Sequence, residues 1–123
     1  MYGTVARFHL KPGTEERLRQ QLREFEAAEV PGEIGEYVYR TDENPNEYYL
    51  AVVFTDREAY MANAESPEQD ARYRRLAKLF TDKPEWHDGE IVYVDSHDGA
   101  RSASRIGGDG FEEEVPYWWP AVA

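Results

Sequence analysis

Tyr48 to Thr55 reads YYLAVVFT, a nearly continuous apolar run set between Asn44-Pro45-Asn46 and Asp56. Its length and its aromatic and β-branched content are those of a strand. Alternate residues of a strand point to opposite faces, so Leu50, Val52 and Phe54 cannot share a face with Tyr49, Ala51 and Val53. Both sets are apolar. The run therefore belongs at the centre of a sheet, and both faces of that sheet need cover.

The neighbouring segments supply the rest of the layer. Tyr2 to Leu10 alternates, with Tyr2, Thr4, Ala6, Phe8 and Leu10 on one side and Val5, Arg7 and His9 on the other. Lys11-Pro12-Gly13 breaks this strand. Thr14 then stands at an N-cap before Glu15 and Glu16. Leu18, Leu22 and Phe25 recur at helical spacing, giving an amphipathic helix stopped by Pro31-Gly32. Ile34, Tyr37, Val38 and Tyr39 mark a second strand over 33–41. After the central strand, Asp56 caps a short helix over Arg57 to Ala64. Ser66 caps another with Pro67 at its first position. That last helix places Tyr73, Leu76, Ala77 and Phe80 on one face and ends at Lys83-Pro84. A final strand runs from Trp86 to about Ser96, centred on Ile91-Val92-Tyr93-Val94. The order β-α-β-β-α-β predicts an α+β, ferredoxin-like antiparallel sheet with its helices on one face. The open face, to which this alternation assigns Val5, Val38, Val53 and Val92, predicts a homodimer formed sheet to sheet.

Composition narrows what such a layer does. The chain has 14 Lys+Arg against 25 Asp+Glu, a net charge of −11. A nucleic-acid backbone or an anionic lipid surface would be repelled, so neither is an expected partner. Cysteine is absent, which removes disulfides, thiolate nucleophiles and zinc ribbons. No run approaches the ~18 apolar residues of a membrane span and no signal-like start is visible, so the expected compartment is the cytoplasm. Near residue 97 the character changes. Residues 1–97 form the predicted domain. Residues 98–123 begin with Gly99, Gly107, Gly108 and Gly110, a linker composition, and end with Glu112-Glu113-Glu114 and Tyr117-Trp118-Trp119-Pro120. Large aromatics beside Pro116 and Pro120 predict a docked arm rather than a free end.

The stretch from Tyr48 to Leu76 resembles the antibiotic biosynthesis monooxygenase family. It carries a strand ending in aromatic Phe54, an acidic helix start at Asp56, the pair Ala59-Tyr60, and Ser66-Pro67 before the last helix. The opening strand followed by Lys11-Pro12-Gly13 fits as well, and the resemblance covers about residues 1–96. It implies a dimeric α/β barrel and a small-molecule substrate. It further implies a cofactor-independent monooxygenase-like activity on an aromatic or polyketide-type compound. The family also holds heme degraders, which use an Asn, a Trp and a His. Ala6, Asn63 and Tyr73 stand at those positions here, so heme is disfavoured as a cofactor, although Tyr73 is a residue type that ligates heme iron.

Candidate residues come from the resemblance and from tyrosine content. Asn63 and Tyr73 are the candidate catalytic pair. Tyr37, Tyr39, Phe54 and Tyr60 are candidate walls of a flat apolar substrate pocket with hydroxyl handles. Aromatics also fill cores and suit strands, so a ligand-binding or structural dimer without turnover is the alternative reading. His9 and His87, with Asp88, are expected at one end of the sheet, as surface histidines rather than metal ligands. Arg72, Arg74, Arg75 and Lys78 read as a solvated basic face of the last helix.

Overall fold

A computed structural model describes residues 1–95. Contacts divide the chain into Met1–Val92 and Tyr93–Ala123. Of the second unit only Tyr93–Asp95 are described, and they carry neither helix nor strand. The Gly-rich segment and the expected aromatic arm lie outside the described residues.

The first unit runs β1 (Tyr2–His9), α1 (Glu15–Ala27), β2 (Glu33–Arg40), β3 (Glu47–Phe54), α2 (Arg57–Ala64), α3 (Pro67–Ala77) and β4 (Glu85–Glu90). The strands form one antiparallel sheet in the order β2-β3-β1-β4. The apolar run from Tyr48 thus takes an inner position, as its two apolar faces require. Its partner β1 approaches so tightly that a Cβ on Gly3 would collide with the Val52 carbonyl oxygen. Two side-chain caps form where the sequence places them: Asp56 accepts from the Ala59 N–H at 2.8 Å and Ser66 from the Gln69 N–H at 3.0 Å. Thr14 differs. Its hydroxyl donates back to the Lys11 carbonyl at 2.7 Å and leaves the N-terminus of α1 without a side-chain cap.

The core lies between the sheet and the helices. Phe8 and Leu10 of the first strand and its extension, Tyr48 of β3, Leu18 of α1, and Leu79 and Phe80 after α3 are its buried members. Their inward placement confirms that Tyr2, Thr4, Ala6, Phe8 and Leu10 face the helices while Val5, Arg7 and His9 face away.

Three elements depart from the sequence pattern. α3 ends at Ala77, and Phe80 is not on its last turn. Leu79 and Phe80 bond back three residues, to Leu76 and Ala77. This tighter turn drops both side chains onto the end of β1, where Phe80 bridges Leu10. β4 ends at Glu90 instead of centring on Ile91–Val94. It is paired to β1 from Arg7↔Glu85 to Tyr2↔Glu90, and the Ile91 N–H donates to the Met1 carbonyl at 2.9 Å. In β2 a bulge inserts one extra residue at Ile34, between Glu33↔Phe54 and Gly35↔Val53. Ile34 is pushed outward, and Val38 lies opposite Leu50 on the helix side rather than on the open face.

Candidate functional site

A cleft of about 380 Å³ opens between the sheet and the helical layer, a size in the ~300–1,000 Å³ range of small-molecule sites. Its floor is the inner face of the sheet: Thr4 and Phe8 of β1, Leu50, Val52 and Phe54 of β3, and Val38 of β2. α1 contributes Leu18, Leu22 and Phe25, and α3 contributes Tyr73 and Leu76. Polar groups enter at few points, chiefly Glu36, Tyr60, Asn63, Gln69 and Arg72. A smaller hollow of about 270 Å³ lies by the Lys11–Glu16 turn. Its carboxylate, Glu15, already accepts from Tyr48, Arg19 and Arg40 at 2.6, 2.9 and 2.6 Å. That hollow is therefore a structural clamp, and the larger cleft is the candidate site.

Four of the six candidate residues meet there. Phe54 is fully buried in the floor and touches Tyr60 edge-on at 5.6 Å. The Tyr60 hydroxyl donates to Asp88 Oδ1 on β4 at 2.8 Å. Burial, reinforced by the Asp88 acceptor, pushes this phenol up to about 12. Thr4 Oγ1 on the floor is buried without a hydrogen-bond partner in bonding geometry, although it lies near enough to Tyr60 to offset that rise slightly. Tyr73 packs between Phe80 and Trp86, with centroids 6.4 and 6.1 Å away. Burial raises its phenol too, while Trp86 pulls the other way. Asn63, half-buried at the end of α2, lines the cleft with its side-chain amide unbonded among the described residues.

The placement of Tyr37 and Tyr39 is corrected. They do share a strand face, but it is the open one. Tyr37 lies opposite Ala51 and Tyr39 opposite Tyr49, and they are 75% and 59% exposed. Tyr39 stacks on Tyr49 at 5.5 Å. Register decides this: once Leu50 faces the helices, its partner Val38 does as well, and the flanking tyrosines must face away. The same parity exposes a residue that sequence reasoning missed. Glu36 lies opposite Val52 and faces the cleft. Desolvation, then the charges of Glu33 and Glu26, pushes its carboxyl up to about 7. The available signal was an acid two positions from Val38 in a strand. Arg72 was missed in part. Arg74 and Arg75 pair with Asp70 and Glu24 on the outside, whereas Arg72 turns to the cleft, donates to Gln69 Oε1 at 3.1 Å and lies over the Phe25 ring at 5.6 Å.

The histidines do not meet. His9 sits between Glu47 and Asp82, at 3.4 and 3.2 Å, while His87 lies opposite Val5 beside Glu85. Asp88 faces the other side of the sheet, toward Tyr60. Among the described residues no group of three His, Asp or Glu is arranged to hold a metal ion.

Fold and cleft together define a small ferredoxin-like α+β domain with an aromatic-walled cleft between sheet and helices. The family profile for antibiotic biosynthesis monooxygenase matches residues 1–75. The chain belongs to that family. Solved structures share the fold. SnoaB, a cofactor-independent oxygenase from Streptomyces nogalater, superposes with a TM-score of 0.61 at 20% identity, over 76% of this chain and 97% of that one. A protein of Methanosarcina mazei gives 0.63 at 18%, over 72% and 89%. One from Mycobacterium tuberculosis gives 0.63 at 18%, over 77% and 98%. No curated protein sequence matches the chain.

Proposed function

We propose that this protein is a cofactor-independent monooxygenase-like enzyme acting on an aromatic or polyketide-type small molecule. The observation that carries the reading is the apolar cleft into which Asn63 and Tyr73 both face. The family and the oxygenase SnoaB among its structural relatives support it. A planar substrate lies along Leu50, Val52 and Phe54. For a methylene held between two aromatic rings, the reaction is CH2 + O2 → C=O + H2O. One oxygen atom enters the product, the other leaves as water, and the substrate supplies all four electrons.

The chain's part is to hold the substrate, exclude water and favour its anion. Tyr73 is protonated at neutral pH, the more so for its burial, and its hydroxyl is a donor to a developing phenolate or enolate oxygen, whereas the Tyr60 hydroxyl proton is held by Asp88. Asn63 supplies an unspent donor and acceptor. Heme is not part of this reading: Tyr73 packs between the Phe80 and Trp86 rings. We propose also that a second copy covers the open sheet face, closing a dimeric barrel, and that the enzyme works in the cytoplasm. No helix among the described residues is long and apolar enough to cross a membrane.

The test is oxygen uptake with dithranol, a tricyclic hydroxyanthrone, in metal-free buffer. One equivalent of oxygen is expected per anthraquinone formed, faster than the spontaneous oxidation. Asn63→Ala and Tyr73→Phe are expected to lower kcat by about 10²-fold, the effect of losing one preorganised donor. Dithranol oxidation no faster than in buffer sinks the reading.

A further inference from the structure

Among the described residues Glu36 is a carboxyl without a partner, set beside the apolar Val38, Leu50 and Val52 of the cleft floor. It projects inward from the edge strand β2, opposite Val52, and packing alone asks for a residue like Val38 two positions away. Among the described residues it accepts no hydrogen bond and forms no ion pair. The groups around it do not neutralise it. Glu33, turned to the same side by the bulge, and Glu26 of α1 oppose its charge. On α3, Asp70 is held by Arg74 and Arg72 is engaged by Gln69 and the Phe25 ring. The cleft's two phenols, Tyr60 and Tyr73, remain protonated.

We propose that Glu36 is the proton acceptor of this cleft, receiving the acidic proton of an aromatic ligand seated against the β3 floor. The proton moves to a Glu36 carboxyl oxygen. The electron pair of the broken O–H or C–H bond stays on the ligand as a ring-delocalised anion, and no other bond changes. The inference rests on the oxygenase reading only for the later reaction of that anion with dioxygen. A carboxyl held near 7 is ionised enough at neutral pH to accept a proton and basic enough to keep it, as a general base requires. An ordinary exposed glutamate would be too weak.

Binding of 2-naphthol, a phenol that stays protonated over the range used, tests the acceptor without any turnover. Its affinity for the wild-type protein is expected to rise about tenfold between about pH 5.5 and 8.5 with a midpoint near 7, since a hydrogen bond to a charged acceptor is the stronger one. Naphthalene, which has no donor, should show no rise. Glu36→Gln should bind 2-naphthol with a flat profile, and Glu36→Asp should restore part of the slope. Circular dichroism checks that both variants are folded. A flat wild-type profile, the same slope in Glu36→Gln, or no binding of 2-naphthol overturns the proposal. Dithranol oxidation on the same preparations separates the two readings. Equal turnover by wild type and Glu36→Gln removes the acceptor and leaves the oxygenase. A Glu36-dependent 2-naphthol profile without dithranol turnover does the reverse.

Discussion

A single carboxyl illustrates how burial turns a common residue into a sensitive one. In the unfolded chain Glu36 titrates near the ordinary value of 4.5; in the fold it is pushed up to about 7 by desolvation and two neighbouring acids. The folded state therefore binds the proton more tightly. Below about pH 4.5 both states are protonated and the site costs nothing. As pH rises to 7 the unfolded chain releases its proton first and stability falls, levelling off above 7. Glu36→Gln removes this loss. The difference in Tm between Glu36→Gln and wild type is expected to grow in the variant's favour from pH 4.5 to 7. A difference that stays constant over that range would show that the carboxyl is not desolvated.

Elements are joined by the opposite kind of carboxyl. Glu15 opens α1 and ties it to β3 through Tyr48 and to β2 through Arg40. The Tyr48 hydrogen bond, then those from Arg19 and Arg40, lowers Glu15 from 4.5 to about 2. Its stabilisation is full above pH 4.5 and is lost as pH falls toward 2. Glu15→Gln should melt below wild type at neutral pH, and the gap should close between pH 4.5 and 2. A gap independent of pH would mean that packing, not charge, is what the substitution removes. The two side-chain caps act locally. Asp56→Ala and Ser66→Ala are each expected to cost about 1 kcal/mol in urea unfolding, whereas Thr14→Ala, whose hydroxyl serves the preceding turn, should not show a cap's loss.

At the scale of the whole molecule the open sheet face decides how the protein behaves in solution. Val5 is 49% exposed, and Val53, Tyr37, Tyr39 and Tyr49 share its side of the sheet. Such a patch on a protein of net charge −11 is an interface or an aggregation hazard. Sedimentation is expected to give a dimer at micromolar concentration, and Val53→Glu, which adds a like charge on both copies, should give a monomer that keeps its helical circular dichroism. A wild-type monomer would defeat the homodimer.

Local pattern was enough for much of this. Alternation in Tyr2–Leu10, the double-faced apolar run at Tyr48–Thr55 and the cap pairs at Asp56 and Ser66-Pro67 specify strands, helices and their order, because each signal is contained in a few neighbouring residues. The family resemblance named Asn63 and Tyr73, and aromatic content named Phe54 and Tyr60; the cleft brings these four together. What the sequence left open was settled between strands. A single extra residue at Ile34, visible only as a shift in pairing with β3, sends Tyr37 and Tyr39 outward and turns Glu33 and Glu36 inward. Pairing with β1 places β4 at Glu85–Glu90, ahead of the apolar Ile91–Val94. Parity and register are relations between segments distant in the chain, and a one-residue slip reverses which face every side chain occupies. Burial and the field of Glu33 and Glu26 then set the carboxyl of Glu36, which only the assembled cleft could do.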